Sequence, residues 1–309
     1  MEHALGVDVG GTKVATALVA TDGTVAGGVK ERRHGARDRD ELVEAIALSV
    51  RKARATAPGP VVGVGLACAG TVDRDTGTVV VSPNLPLKDD PLAALVEHEV
   101  GLPVVLDNDV NAALTAEARL GAARGVRNGV MITLGTGVGG ALLIEGKIHR
   151  GAHGCAGEIG HMIVDAHGDP CRCGGKGCLE AYVAAPGFER IGFRTVGLFE
   201  RGAFTGELIG RLAAEGSAAA MQSLETIGWW LGVGISNVVS LLDPEVVIVG
   251  GGLGNLGELL LGPARRVVRR HPLPPARDRV RVEQAELGTA AGAIGAGLVA
   301  WEQRGADAG

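Results

Sequence analysis

Cys171, Cys173 and Cys178 lie within eight positions of one another in Cys171-Arg-Cys173-Gly-Gly-Lys-Gly-Cys178-Leu-Glu180. Glycines between them allow a tight knuckle in which the thiolates converge on one point. His161, ten residues upstream, can complete a Cys3His tetrahedron, a ligand set of closed structural zinc sites. The alternatives are a disulfide, or buried thiols serving as small hydrophobes. Zinc fits better, because glycine-rich loops bury three cysteines poorly and a total of five leaves one unpaired. Glu158 and Glu180 bracket the cluster as hydroxyl-binding groups beside a rigid peg.

Two glycine turns have a second kind of chemistry. Asp8-Val-Gly10-Gly11-Thr12-Lys13 and Thr133-Leu-Gly135-Thr136-Gly137-Val-Gly-Gly140 each lie between apolar runs. Glycine lets the backbone approach an anion closely and aim several N–H groups at it. Asp8 could hold Mg²⁺ through water, and Thr12 and Thr136 add hydroxyl donors. Either turn alone reads as a plain hairpin, whereas two matched copies favour phosphate binding. No Walker A loop is present. Gly135 to Gly140 also matches a dinucleotide fingerprint, but a strand follows it rather than a helix. Gly250-Gly251-Gly252-Leu-Gly254-Asn-Leu-Gly257 has the strand before and the helix after. It lacks the opening βαβ unit and the acidic partner about 20 residues on. It reads either as a loop approaching adenosine or as a turn closing a core.

Asp107-Asn108-Asp109 stands where a strand ends and a helix begins, a common place for active-site residues in open α/β sheets. One carboxylate could take the proton from an attacking alcohol, as phosphoryl transfer to a hydroxyl requires. Asp107 itself reads better as a helix cap or turn residue. Asn84, Asn108, Glu158 and Glu180 have the donors and acceptors to grip several sugar hydroxyls.

The elements that must position these groups follow an α/β pattern. Residues 4–19 read as strand, glycine turn, strand, with a third strand at Val25–Val29. Asp38 caps a helix with Glu41 as its capping-box partner, and Leu42, Ile46, Val50 and Ala53 give its apolar face. Val61–Ala67 is a continuous apolar run, as in a strand covered on both faces. Val104–Leu106 is a short strand before a helix through Ala112, Ala113, Ala116 and Leu120. Residues 131–144 align with 6–19 without a gap, placing Thr133 against Asp8 and Gly135 against Gly10. The repeat predicts two domains of related topology. A long helix runs from about Ser217 to Leu242, followed by strands at Val246–Val249 and Val280–Val282 and a Gly/Ala-rich helix to about Trp301. The boundaries drawn are a smaller domain over 1–112 and a larger one over 113–289 with the knuckle. A C-terminal helix, about 290–309, packs back on the smaller.

Composition narrows the function. The 309 residues suit two domains, and scarce aromatics leave the core to Val, Leu, Ile and Ala. A net charge of −5 without a basic stripe argues against a nucleic-acid binder. An acidic residue and a strand pattern directly after Met1 argue against a signal peptide, and five cysteines without one indicate a reducing cytoplasm. Thr226–Leu242 is uncharged, but Asn237, three glycines and the lack of flanking Lys or Arg make it a buried helix rather than a membrane span.

Asp8-Val-Gly-Gly-Thr-Lys13, Asn108-Asp109-Val-Asn-Ala, Thr133-Leu-Gly-Thr-Gly-Val-Gly-Gly140, Gly157-Glu-Ile-Gly-His161 and the cysteine motif through Glu180 together resemble the ROK family of repressors and sugar kinases. The match spans nearly the whole chain, and the last two motifs are specific to that family. The resemblance implies an α/β, actin-like ATPase fold, two ribonuclease-H-like domains with sugar and ATP in an active-site cleft. By position it makes Asp109 the catalytic base and assigns Asn84, Asn108, Glu158, His161 and Glu180 to the sugar. It makes His161, Cys171, Cys173 and Cys178 the ligands of a structural Zn²⁺. Asp8, Gly10, Gly11, Thr12, Lys13, Thr133, Gly135, Thr136, Gly137, Gly251 and Gly252 are expected to hold ATP with its Mg²⁺. Within the family the likeness is to bacterial glucokinases, especially the actinobacterial type, which implies phosphorylation of the 6-hydroxyl of glucose. Kinases of N-acetylhexosamine, mannose or fructose are the alternative. A sugar-responsive repressor would need a helix-turn-helix before the first strand, which starts at about residue 4. Many members place a tryptophan soon after Asn84-Leu85, whereas this chain continues Pro86-Leu87-Lys88. The family is usually dimeric or tetrameric, and the apolar helix from Ser217 suits a homodimer or homotetramer. No nucleic-acid or membrane partner is expected.

Overall fold

The computed structural model describes residues 1–196 and 205–307. The last two positions of the expected C-terminal helix lie outside them. The described chain forms two compact units, one of residues 1–125, 148–156 and 289 onward, the other of 126–147 and 157–288.

The first unit opens with β1 (His3–Val9), β2 (Lys13–Val19) and β3 (Val25–Arg33), an antiparallel meander. The third strand runs four residues past the expected Val29 because Lys30 to Arg33 pair with Thr16 to Lys13 of its neighbour. Helix α1 (Arg39–Ala55) buries Leu42, Val43, Ile46, Ala47, Val50 and Ala53 against this sheet. Asp38 caps it by accepting from the Glu41 N–H at 2.9 Å, as expected. The reciprocal bond differs from a capping box: the Glu41 carboxylate accepts from the N–H of Arg37, one residue earlier.

Next come β4 (Val61–Cys68), the small sheet β5 (Thr71–Asp73), β6 (Thr78–Val81) and β7 (Lys88–Asp90), helix α2 (Leu92–Val100), β8 (Val104–Asn108) and α3 (Asp109–Leu120). The main sheet has the order β3-β2-β1-β4-β8, with β1, β4 and β8 parallel. The α3 cap is Asn108, whose Oδ1 accepts from the N–H groups of Val110 and Asn111 at 2.8 and 3.1 Å. Asp107 is therefore not the cap. It still pairs across β4, and its side chain is committed elsewhere.

The second unit repeats the plan with β9 (Gly129–Leu134), β10 (Val138–Ile144) and β11 (Lys147–His149). Then follow α4 (Glu180–Val183), α5 (Ala185–Val196), α6 (Gly206–Ala214), α7 (Ala218–Leu242), β12 (Val246–Gly250), α8 (Glu258–Val268), α9 (Ala276–Arg279) and β13 (Arg281–Gln284). Its sheet order, β11-β10-β9-β12-β13, matches the first element for element, with β9, β12 and β13 parallel. The long helix starts where expected, capped by Ser217. The two hairpins differ in register. Asp8 stands opposite Ala15, but Thr133 stands opposite Gly139, one residue tighter than the ungapped alignment implies. The Gly10 N–H closes on Lys13 O, whereas the Gly135 N–H closes on Gly137 O.

Helix α10 (Ala291–Asp307) completes the first unit, packing on β1, β4 and α3. Its backbone lies directly on the sheet: a Cβ on Gly6 would fall 1.8 Å from Ala293 O, and one on Gly65 1.9 Å from Ala296 O. Only glycine permits that approach. Among the described residues no helix is long and apolar enough to cross a membrane. The repeated five-stranded mixed sheet with flanking helices is the α/β, actin-like ATPase architecture.

Candidate active site and metal centre

In the first unit three parallel strands end together. Asp8 and Asp107 flank Ala67 in register, and Asn108 pairs with Cys68. The strand ends thus deliver Asp8, Asn108 and Asp109 to one edge, where open α/β sheets bind ligands. The Asp8 carboxylate lies over the first turn of α10, where a Cβ on Gly292 would come within 2.6 Å of its Oδ2. Burial pushes the Asp8 pKa up to about 7, and the neighbouring Asp109 carboxylate pushes the same way. Lys13 opposes them but is itself paired with Glu31 at 2.6 Å on the exposed hairpin. The first glycine turn lies against Asn84, with a Cβ on Gly11 reaching 3.0 Å from Asn84 O.

Asn108 has little spare capacity. Its Oδ1 serves as the helix cap and its Nδ2 donates to Gly70 O at 3.1 Å, which leaves one amide N–H for a ligand. Asp109 opens α3 and accepts from the Val110 N–H at 3.0 Å. Two sets of contacts escaped the sequence reading. His34 clamps the first turn: its N–H donates to Thr12 O at 3.0 Å and its ring Nε2 lies 2.9 Å from Gly10 O. The Ala36 N–H donates to Nδ1, so Nε2 carries the proton. Asp107 is buried between Arg74 and Arg150. Neither long-range pairing leaves a local sequence signal.

In the second unit Thr133, the Gly135–Gly137 turn and Gly251–Gly252 gather at the ends of β9 and β12, where Gly250 pairs with Thr133. Gly251 has φ +79°, and a Cβ there would lie 2.4 Å from Leu134 O, so only glycine closes this corner. Glu180 reaches the same turn. Its Oε2 accepts from the Val138 N–H at 3.0 Å, while Oε1 lies 3.7 Å from Cys171 Sγ. The Ala185 N–H adds a bond to Gly135 O at 2.9 Å. Glu180 is thus a strut between knuckle and turn. Glu158 is exposed, at the start of the 3₁₀ turn Ile159–His161.

The knuckle brings all four expected ligands together: the donor atoms of His161, Cys171, Cys173 and Cys178 lie within 4.8 Å of one another. The Cys173 and Cys178 sulfurs are 3.7 Å apart, far beyond a bond of about 2.05 Å. Ligands about 2.3 Å from a tetrahedral zinc would be about 3.8 Å apart. The donor set fits such an ion. The glycine loop buries two of the three thiols, Cys171 and Cys178, and leaves Cys173 exposed. Burial pushes Cys171 up to about 12 and raises Cys178, while an N–H from Gly175 holds Cys173 below the usual thiol range. Three thiolates at this spot require a cation. The His161 Nδ1 lies 3.8 Å from Cys171 Sγ, which leaves Nε2 for another partner. Behind the knuckle, Tyr182 Oη accepts from the Asp169 N–H at 3.0 Å, and its ring stacks on Trp230 with centroids 4.0 Å apart.

Comparison with known proteins adds an independent line. The ROK family model matches residues 4–303. The chain is 36% identical to the glucokinase of Streptomyces coelicolor, over 96% of this chain and 97% of that protein. The crystal structure of a ROK family glucokinase from Streptomyces griseus in complex with glucose and AMPPNP superposes with a TM-score of 0.86 at 35% identity, covering 97% of this chain and 99% of that one. A ROK hexokinase structure from Thermus thermophilus gives 0.82 at 30% identity, covering 98% and 99%.

Proposed function

Because this chain belongs to the ROK family, we propose that it is an ATP-dependent glucokinase, a phosphotransferase acting on the 6-hydroxyl of glucose. The observation that carries the reading is that parallel strands β1, β4 and β8 end together, which brings Asp8 and the Asn108–Asp109 junction to one sheet edge. Phosphoryl transfer to an alcohol needs a base for the hydroxyl proton beside an acidic anchor for the nucleotide's metal, and this edge supplies both. Asp109 takes the proton of the 6-hydroxyl as that oxygen bonds to the γ-phosphorus and the bond to ADP breaks. Asn84, Asn108, Glu158, His161 and Glu180 are the residues we assign to the other hydroxyls. Gly10, Gly11, Thr12, Gly135, Thr136 and Gly137 offer N–H and hydroxyl donors to the phosphates, with Thr133 beside them and Gly251 and Gly252 towards the adenosine. Lys13, now paired with Glu31, would exchange that partner for phosphate.

Asp8 would hold Mg²⁺, which when bound neutralises phosphate charge. His161, Cys171, Cys173 and Cys178 would hold a structural Zn²⁺, which supplies rigidity, since four protein ligands leave no open position. We place the protein in the cytoplasm, consistent with five unpaired cysteines, and as a homodimer or homotetramer, which light scattering would settle. The functional test is a coupled assay with Mg-ATP against a panel of hexoses. Glucose should give glucose 6-phosphate with the highest kcat/KM. Preference for an N-acetylhexosamine, mannose or fructose would replace the substrate, and no hexose-dependent ATP turnover would overturn the kinase.

A further inference from the structure

Asp107 is the most heavily bonded side chain of the first unit, yet the reaction as described gives it nothing to do. Its side chain is 2% exposed. Oδ1 accepts from the Asn108 N–H at 2.9 Å, from Asn111 Nδ2 at 3.2 Å and from Arg150 Nε at 3.2 Å. Oδ2 accepts from Arg150 Nε at 3.1 Å, from Arg74 Nη1 at 3.2 Å and from Arg150 Nη2. The carboxylate therefore grips both sides of the β8–α3 junction that presents Asn108 and Asp109. A cap at Asn108 alone would serve to start the helix; two arginines on the preceding residue exceed that need.

Arg150 arrives from a distant part of the chain. It lies in the excursion 148–156, which belongs to the first unit although second-unit residues flank it in sequence. The excursion is closed on itself by the Ala156 N–H donating to Arg150 O at 3.1 Å. It lies close on β5, where a Cβ on Gly154, at φ +73°, would fall 2.4 Å from Val72 O. One residue after Ala156 the chain enters Gly157-Glu158-Ile-Gly-His161. The guanidinium thus binds the residue that precedes the base-bearing junction, while the Arg150 carbonyl closes the excursion just before that motif begins.

We propose that Arg150, anchored on Asp107, is a positioning residue for phosphoryl transfer: it holds Asp109 in place while fixing the loop that leads to Glu158. Arg74 completes the clamp from a third segment. The planar, forked guanidinium is what allows one side chain to bind both carboxylate oxygens. The role rests on the kinase reading and lies on the sugar side of the reaction, because Arg74 and Arg150 meet Asp107, whose carboxylate bonds to the β8–α3 junction.

The test compares wild type, Arg150→Ala, Arg150→Lys and Asp107→Asn for kcat, both KM values, glucose binding by calorimetry and melting temperature. Displacing a base by about 1 Å costs on the order of a hundredfold, so Arg150→Ala should lose about that much in kcat/KM for glucose. Its KM for ATP should stay within about threefold, the signature of a loss on the acceptor side. Arg150 is 24% exposed, so guanidinium ion, far below denaturing concentrations, can enter the vacated space and should restore part of the rate. Arg150→Lys, with charge but no fork, should fall between. If Arg150→Ala does not fold, Asp107→Asn keeps shape and some hydrogen bonding and should show the same acceptor-side loss. Equal effects on ATP and glucose, no guanidinium rescue in a folded variant, or variants as active as wild type overturn the positioning role alone. A wild type that neither binds nor phosphorylates a hexose overturns the kinase reading and this role with it.

Discussion

Asp109→Asn retains shape and hydrogen bonding but cannot accept a proton, and loss of a general base costs about 10²–10⁴ in rate. We expect kcat to fall by that order with glucose affinity largely kept. Near-normal turnover would move the base elsewhere. Asp8 makes a prediction about pH. Its folded pKa, about 7, lies above the ordinary 3.8. Stability from this group is therefore fully present below about pH 4 and lost as pH rises through 7. Glu245 is shifted the other way by backbone hydrogen bonds and Asp73 by the side-chain hydrogen bond to Thr76, whereas burial raises Glu302 as it raises Asp8. Asp8→Asn should flatten the fall in melting temperature of the ligand-free protein between about pH 4 and 7, the span set by the shift. Bound Mg²⁺ favours the ionised form, so more Mg²⁺ should move the acid limb of activity to lower pH. An acid limb insensitive to Mg²⁺ would remove Asp8 from metal binding. At this scale the ligand types were legible because cysteine, histidine and glycine spacing is local. His34, Arg74 and Arg150 were not, because a hydrogen-bond partner 24 to 43 residues away leaves no pattern.

At the scale of elements, the glycine hairpins could be read because an apolar run, a glycine turn and another apolar run recur at matched positions. Their registers could not, since a one-residue change in turn closure alters which residues face each other without changing the alignment. The junction of β8 and α3 shows the same limit. Asp107, Asn108 and Asp109 all have side chains able to cap a helix, and what decides is that Asp107 is claimed by two arginines. Glu180 couples two elements that the sequence presents separately. Loss of a knuckle ligand in Cys173→Ser should lower zinc content and melting temperature. It should raise KM for glucose, and for ATP as well, because the strut to Val138 loosens. Gly137→Ala separates the two effects: its Cβ would lie 2.7 Å from Glu180 Oε2, so the turn shifts while the ligands stay. Metal analysis should then read full zinc with a raised KM for ATP. A Cys173→Ser protein with wild-type KM for ATP would deny the strut.

On the scale of the whole molecule, the α/β repeat follows from apolar runs and glycine turns in sequence, whereas the strand order of each sheet rests on long-range pairing. The excursion 148–156 had no such sign, because the contacts that assign it to the first unit, Arg150 to Asp107 and Gly154 against Val72, are long-range. The Gly/Ala-rich character of α10 reads as a helix, but its purpose appears only in the packing, where helix backbone meets strand backbone over Gly6 and Gly65. A chain ending at Gly288 would leave that face of β1 and β4 uncovered. We expect such a truncation to lose the protease resistance of residues 1–125 while β9 and β12 keep theirs. Equal resistance of both units would mean that α10 only decorates the sheet.

The aromatic stack behind the knuckle gives the protein a built-in optical reporter. The chain has three tryptophans: Trp229 and Trp230 side by side on α7, and Trp301 on α10 with its Nε1–H bonded to Val19 O. Trp230 lies on Tyr182, two residues beyond Glu180, so its emission senses the ring that braces the metal loop. Replacing Trp301 with phenylalanine would leave emission from the second unit alone. Chelator or sugar titrations could then be followed as a colour shift in the ultraviolet, without turnover and on the timescale of mixing.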